Sequence, residues 1–223
     1  MDVSYPVARY VYRPLSLRAA AVLARTSVTP LQVTFSAGCL AVAAAAAFAA
    51  GRFRLGAAVA LVSVVADCVD GDLARLTGRT SRAGAFIDSV LDRWMDAALI
   101  FGLWASDPGR LGPVAAAALV GSLITSYARA RAQSLGADCP DGIGGRDTRI
   151  LLLVVAAGLG APLVGLVLVA AAALVTSVHR TALAWRALAK LDRAASSRLP
   201  LQARASARPG SETLPPKDQA GGR

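Results

Sequence analysis

The run Asp67-Cys68-Val69-Asp70-Gly71-Asp72-Leu73-Ala74-Arg75, followed by eight residues, Gly84, three residues, Asp88, three residues and Asp92, decides how this chain is read. Five aspartates fall inside two stretches otherwise apolar enough to cross a membrane. Near the centre of a membrane helix each aspartate costs roughly 2.5–3.5 kcal/mol, so burying several needs compensation on the order of 10 kcal/mol. Bound metal is the simplest source of it. Oxygen-only ligands suit Mg²⁺, Mn²⁺ or Ca²⁺ rather than soft metals.

The spacing gives that reading a geometry. Residues three or four apart share a helix face, so Asp67, Asp70, Gly71 and Ala74 lie on one stripe, and Asp88 and Asp92 on a stripe of the next helix. Antiparallel packing through the turn Leu76-Thr77-Gly78-Arg79-Thr80 would bring four carboxylates together at the turn end. Two divalent ions about 3.5–4 Å apart, held by such a cluster, form a site for displacement at phosphorus. The plainer alternative is salt bridging to Arg75, Arg79 or Arg93, which does not demand this register. Gly71 and Gly84 can let helices approach closely, and the missing side chains also leave room for a ligand. Asp72 falls off the stripe and is expected to face the turn; Asp96 extends the second stripe one turn deeper, where it can orient Asp92 or pair with Arg93.

Outside this run the 223-residue chain is 55% hydrophobic, with a mean hydropathy of +0.52. Its apolar stretches have the length of bilayer crossings, and six spans are expected near 31–50, 55–76, 84–105, 111–137, 147–161 and 162–186. The first 30 residues scatter Arg9, Arg13, Arg18 and Arg25 among apolar residues. That pattern predicts an amphipathic helix lying on the membrane surface rather than a cleaved leader. The fold class is therefore an all-α integral membrane protein: six transmembrane helices plus an N-terminal interfacial amphipathic helix. From about 191 the composition turns to Ser, Arg, Pro and Gly, so a membrane domain over 1–190 and a disordered basic tail over 191–223 are expected.

A net charge of +10 raises nucleic-acid binding as a function class. The cations instead follow the expected topology: they flank the N-terminal segment, the 75–82 turn, the 129–149 loop and the tail, while the opposite loops hold only Arg52, Arg54 and Arg110. The positive-inside rule then puts both termini and the aspartates at the cytoplasmic face of a multi-pass cell-membrane protein, with anionic lipid and not nucleic acid as partner. Cys39, Cys68 and Cys139 are odd in number and lack metal spacing, so no disulfide framework is expected. Lysine occurs only at Lys190 and Lys217 among 24 cationic residues, and alanine is abundant. This usage points to a GC-rich bacterial genome, of the actinobacterial kind.

The pattern D-x2-D-G-x2-A-R-x8-G-x3-D-x3-D resembles the signature of the CDP-alcohol phosphotransferases, and every specified position is met between Asp67 and Asp92. The likeness extends weakly over about residues 28–186. It implies a six-helix membrane fold, usually homodimeric, that moves a phosphatidyl-type group from a CDP-alcohol to an acceptor hydroxyl and releases CMP. By this resemblance Asp67, Asp70 and Asp88 are metal ligands, Asp92 is both ligand and general base, and two Mg²⁺ or Mn²⁺ ions occupy each site. Gly71, Ala74, Arg75, Ser81 and Gly84 then border the CDP moiety. Thr29-Pro30-Leu31-Gln32-Val33-Thr34 resembles the family's T-P-N-x-x-T entry into the first span, so Leu31, Gln32, Val33 and Thr34 join the nucleotide-binding set, with Leu31 in place of the usual polar residue. A Thr cap and a Pro at the helix start form such a junction with no ligand.

Tyr127-Ala-Arg129-Ala-Arg131, Gly144-Gly-Arg146-Asp-Thr-Arg149 and His179-Arg180 set cations at the expected cytoplasmic ends of three later spans. This resembles the phosphatidylinositol-phosphate synthase branch, in which Arg129, Arg146, Arg149 and Arg180 would grip the acceptor's phosphate, with Arg129 where a lysine is usual. Topology signals are the alternative for these four; His179 reads as interfacial. The resemblance thus implies CDP-diacylglycerol as donor and an inositol phosphate as acceptor. Glycerol 3-phosphate as acceptor, or a soluble CDP-inositol donor, are the alternatives within the family. A cation transporter is the reading from another class, since intramembrane aspartates also mark ion paths. Neither paired broken helices nor inverted repeats are visible in the sequence.

Overall fold

Thr29 starts the first long helix by a reciprocal cap: its Oγ1 accepts the Gln32 N–H at 3.3 Å, Gln32 Oε1 accepts the Thr29 N–H at 2.9 Å, and Pro30 sets the first turn. In the computed structural model the described residues are 13–138 and 145–198. They form seven helices and no strand: α1 (Arg13–Leu23), α2 (Pro30–Ala49), α3 (Phe53–Leu76), α4 (Arg82–Ser106), α5 (Pro108–Ser134), α6 (Arg146–Gly158) and α7 (Pro162–Arg198). Ser81 caps α4 by accepting the Gly84 N–H at 3.0 Å, and Asp107 caps α5 through the Arg110 N–H at 3.2 Å. Gly78 closes the α3–α4 turn at φ 64°, a left-handed conformation that a side chain would strain.

Helices α2 to α7 fall on the six expected segments. Of these, α2, α5 and α7 are long and apolar enough to cross a membrane. Charge keeps α3 and α4 off that scale, because each carries three aspartates, Asp67, Asp70 and Asp72 on one and Asp88, Asp92 and Asp96 on the other. At about 1.5 Å per residue, the 13 residues of α6 span only about 20 Å. The surface matches a lipid solvent: Phe35, Val62, Val120, Val175, Val178 and Trp185 are all more than half exposed.

Two boundaries differ from expectation. Helix α7 runs on to Arg198, so the first residues of the expected tail are helical. Good helix formers continue through this stretch, and Ala184, Ala187 and Leu188 pack against Ala132 at the end of α5 and Ala137 just past it. The N-terminal helix ends at Leu23, so residues 24–29 of the segment expected to be helical connect it to α2. Arg9, Cys139, Gly144 and the tail from 199 onward lie outside the described residues.

Helix packing is built from small residues. Ala44, Ala57, Ala60, Ala115, Ala118 and Ala157 sit in the main core with Phe48, Leu103, Leu153 and Leu166. A Cβ placed on Gly102 would lie 2.6 Å from Ala45 Cα, so α2 and α4 touch backbone to backbone there. Gly121 meets Ala173 of α7 in the same manner. Hydroxyls cross-link the helices: Ser63 donates to the Ala37 carbonyl at 2.8 Å and Thr125 to the Ala173 carbonyl at 3.0 Å. Near the turn end, α1 lies on α3, with Ala20 packed among Val33, Val69 and Leu73.

Candidate active site

The α3–α4 hairpin brings Asp67, Asp70 and Asp88 together, one carboxylate oxygen from each lying within 4.8 Å of the others. Asp70 is buried and the other two are half-buried. Asp67 Oδ1 and Asp70 Oδ2 are buried and receive no hydrogen bond among the described residues. Carboxylate oxygens taken out of water without donors are costly. A hard divalent cation satisfies them, and an all-oxygen donor set suits Mg²⁺ or Mn²⁺. These residues therefore fit a metal.

Asp92 stands one turn deeper and is held by arginines on both oxygens. Arg146 Nη1 lies 2.6 Å from its Oδ1, and Arg93 Nη1 lies 3.0 Å from its Oδ2. The same Arg146 reaches Asp67 Oδ2 at 2.7 Å and Asp96 Oδ1, through Nε, at 2.9 Å. Arg146 was expected to face the acceptor's phosphate; in the structure its guanidinium is inserted among three carboxylates. The reason is its place as the first residue of α6, which packs on α3 and carries the arginine onto the aspartate stripe. Asp96, left open between orienting Asp92 and pairing with Arg93, pairs with Arg146 instead. Asp72 does not face the turn. It is 4% exposed and accepts both Ser16 Oγ of α1 and Arg75 Nη2, each at 2.6 Å.

Above the carboxylates a cavity of about 520 Å³ opens between the starts of α2 and α4 and the end of α3. Asp70 and Asp88 form its floor side; Gly71, Ala74 and Arg75 of α3, Ser81 and Gly84 of α4, and Leu31 and Thr34 of α2 line the rest. Gln32 and Val33 do not line it, since Gln32 is used in the α2 cap and Val33 is packed under α1. A Cβ on Gly71 would meet only the Arg75 guanidinium, at 3.5 Å, so this glycine opens cavity space rather than a helix contact. Arg79 and Thr80 of the turn also line the cavity and were not assigned from sequence. The signal was present, because the five-residue turn of a two-helix site must pass over whatever the helices hold. Two helix N-termini and two arginines make this cavity electropositive, and its far side is carboxylate. That polarity fits a diphosphate bound through a cation.

Of the other cations, Arg149 and Arg180 are buried, at 3% and 5% exposure, and Arg129 is partly buried. Arg180 Nη1 donates to the Thr125 carbonyl of α5 at 3.3 Å. His179 is exposed.

Comparison with known proteins gives these features a context. Residues 27–188 match the family described as CDP-alcohol phosphatidyltransferase. The bifunctional IPC transferase and DIPP synthase of Rubrobacter xylanophilus is 38% identical over 86% of this chain, and the match spans 43% of that relative's length. A phosphatidylinositol phosphate synthase of Streptomyces avermitilis is 36% identical over 80% of this chain and 81% of its own. Among solved structures, the phosphatidylinositol phosphate synthase of Mycobacterium tuberculosis with CDP-DAG bound superposes with a TM-score of 0.68 at 32% identity, covering 77% of this chain and 94% of that one. The same enzyme in complex with manganese and citrate gives 0.68 over 76% of this chain and 88% of that one. The family match takes in α2 to α6, most of α7 and the whole cavity, and the chain belongs to the CDP-alcohol phosphatidyltransferases, transferases of substituted phosphate groups.

Proposed function

We propose that this protein transfers a phosphatidyl group from CDP-diacylglycerol to a hydroxyl of an inositol phosphate, releasing CMP at the cytoplasmic face of a six-span membrane domain. One observation carries the reading: the arginine-walled cavity between two helix N-termini ends on Asp70 and Asp88, so a diphosphate entering it meets the metal-ligating carboxylates. Similarity to phosphatidylinositol phosphate synthases, one of them seen with CDP-DAG, supports the choice of donor and acceptor.

Asp67, Asp70 and Asp88 would hold the divalent cation, with Asp92 as a further ligand to a second ion. When bound, the metal supplies charge neutralisation and Lewis-acid polarisation at the diphosphate. Arg75 and Arg79 bind the phosphate oxygens from the cavity wall, and Ser81, Thr34 and the cleft left by Gly71 and Gly84 receive the rest of the nucleotide. Asp92 takes the proton from the acceptor hydroxyl. The freed oxygen attacks the phosphorus that carries diacylglycerol; the new P–O bond forms as the bond to the CMP oxygen breaks, and CMP leaves with its phosphate. Arg129, Arg149 and Arg180 hold the acceptor's own phosphate, which fixes the reacting hydroxyl toward Asp92.

Purified protein with CDP-diacylglycerol and Mg²⁺, screened against inositol phosphate and glycerol 3-phosphate, tests this reading by CMP release. Turnover with inositol phosphate is expected. Turnover with glycerol 3-phosphate alone would reassign the acceptor. A soluble CDP-linked inositol donor is the second reading, supported by the identity with the bifunctional IPC transferase and DIPP synthase, and the same assay with that donor distinguishes it.

A further inference from the structure

Two residues past Asp70, α3 carries a buried acid that the proposed chemistry does not use. Asp72 is 4% exposed, and its two oxygens serve different parts of the fold. Oδ2 accepts Ser16 Oγ of α1 at 2.6 Å, with Ser16 itself 1% exposed. Oδ1 accepts Arg75 Nη2 at 2.6 Å. The Arg75 side chain is 64% exposed, so this ion pair is what fixes it against the cavity wall. Its guanidinium lies over Gly71, 3.5 Å from where a Cβ would stand, on the face that looks into the cavity. The short surface helix completes the arrangement: Ala20 packs on Leu73, the residue next to Asp72, while Leu15 and Val22 remain more than half exposed on the helix's outer side.

We propose that Asp72 is a positioning residue for donor binding, aiming Arg75 at the diphosphate of the CDP-alcohol and making that aim depend on the docking of α1 through Ser16. The inference rests on the reading of the cavity as the donor site. Two opposed effects decide its sign. A carboxylate beside a phosphate-binding arginine lowers the local positive potential, which weakens anion binding. It also holds a long, exposed side chain in one geometry, so the ligand does not have to immobilise it. The carboxylate's other oxygen is tied to a buried hydroxyl, which makes the arginine's anchor rigid, and preorganisation is the larger effect.

Asp72→Asn keeps the size of the group and removes its charge. Donor KM for CDP-diacylglycerol and the Kd for CMP, measured by calorimetry in detergent, are expected to rise about tenfold, the weight of one charge-assisted hydrogen bond, while kcat and acceptor KM stay within about twofold. In an Arg75→Ala background the same change is expected to be silent, because there is no guanidinium left to aim. Ser16→Ala is expected to raise donor KM about threefold, the effect of one neutral donor. Tighter or unchanged CMP binding in folded Asp72→Asn would overturn the proposal, as would an equal penalty with and without Arg75. If Asp72→Asn fails to fold, Ser16→Ala carries the test, and an unchanged donor KM in that variant overturns it. Wild-type protein that binds no CMP would remove the donor-site reading and this inference together; wild-type binding with an indifferent Asp72→Asn removes this inference alone.

Discussion

Arg146 and Asp92 meet at 2.6 Å, Nη1 to Oδ1, so the proposed general base is tied to the first residue of a helix that the aspartate signature does not include. The same guanidinium reaches Asp67 and Asp96, which makes it the hub of a partly buried ion network. Arg146→Ala would leave three carboxylates crowded, with only Asp92 keeping a counter-charge, from Arg93. The expected loss is about 3–5 kcal/mol, and Mg²⁺ should recover part of it by offsetting the same repulsion. Thermal unfolding in detergent with and without Mg²⁺ checks this, and a metal-independent loss would mean that the network and the metal site are separate.

Replacing Arg146 by Lys distinguishes the observed geometry from an acceptor-binding role. Lysine offers one point charge and cannot serve Asp67, Asp92 and Asp96 together. With the base misplaced, kcat is expected to fall at least about tenfold while acceptor KM changes little. A raised acceptor KM with normal kcat would return Arg146 to the acceptor's phosphate.

Asp92→Asn preserves packing and removes the basic carboxylate. Activity is expected to drop by about 10²–10⁴ with CMP binding largely retained. Near wild-type turnover would move the base elsewhere, with Asp96 the carboxylate of the same stripe not assigned to metal.

Metal dependence has its own test. Chelation should abolish CMP release, and Mg²⁺ or Mn²⁺ should restore it. Binding should also raise the unfolding temperature of the wild type, by linkage, and Asp70→Asn should remove most of that shift. Full turnover after rigorous metal removal would exclude the proposed chemistry.

Arg149 and Arg180 are buried cations whose role separates cleanly from topology. A flanking charge tolerates lysine, whereas a bidentate phosphate contact does not. Arg149→Lys and Arg180→Lys are each expected to insert normally and to raise acceptor KM by about 10–100-fold. Unchanged kinetics in both would reduce them to packing and topology.

Much of this was legible in the sequence. The apolar runs marked α2 to α7, because each buries or exposes to lipid an almost uninterrupted stretch, and the three-and-four spacing placed Asp67, Asp70 and Asp88 correctly because it acts within single helices and across one short turn. The cap of α2 was also readable from Thr29 and Pro30. What spacing cannot report is which distant helix end lands on a stripe. Arg146 reached Asp67 and Asp96 through the packing of α6, and Asp72 found Ser16 through the packing of α1, both tertiary events. Gln32 and Val33 lie off the cavity for a related reason: one is taken up in the α2 cap and the other is packed under α1, contacts that motif spacing does not report.

The alanine-rich packing has a consequence for how this chain can change over generations. An alanine codon reaches, by one base substitution, only Gly, Ser, Thr, Pro, Val, Asp or Glu. All but glycine add bulk, charge or a ring. Ala173 is fully buried and its Cβ faces Gly121 across the α5–α7 crossing, so added bulk there overpacks, at a cost of about 1–3 kcal/mol. Each alanine packed in this way at a helix crossing has almost no neutral neighbour in codon space. The helix crossings of this protein are thus expected to drift more slowly than its lipid-facing valines and leucines, whose replacements meet only a fluid solvent.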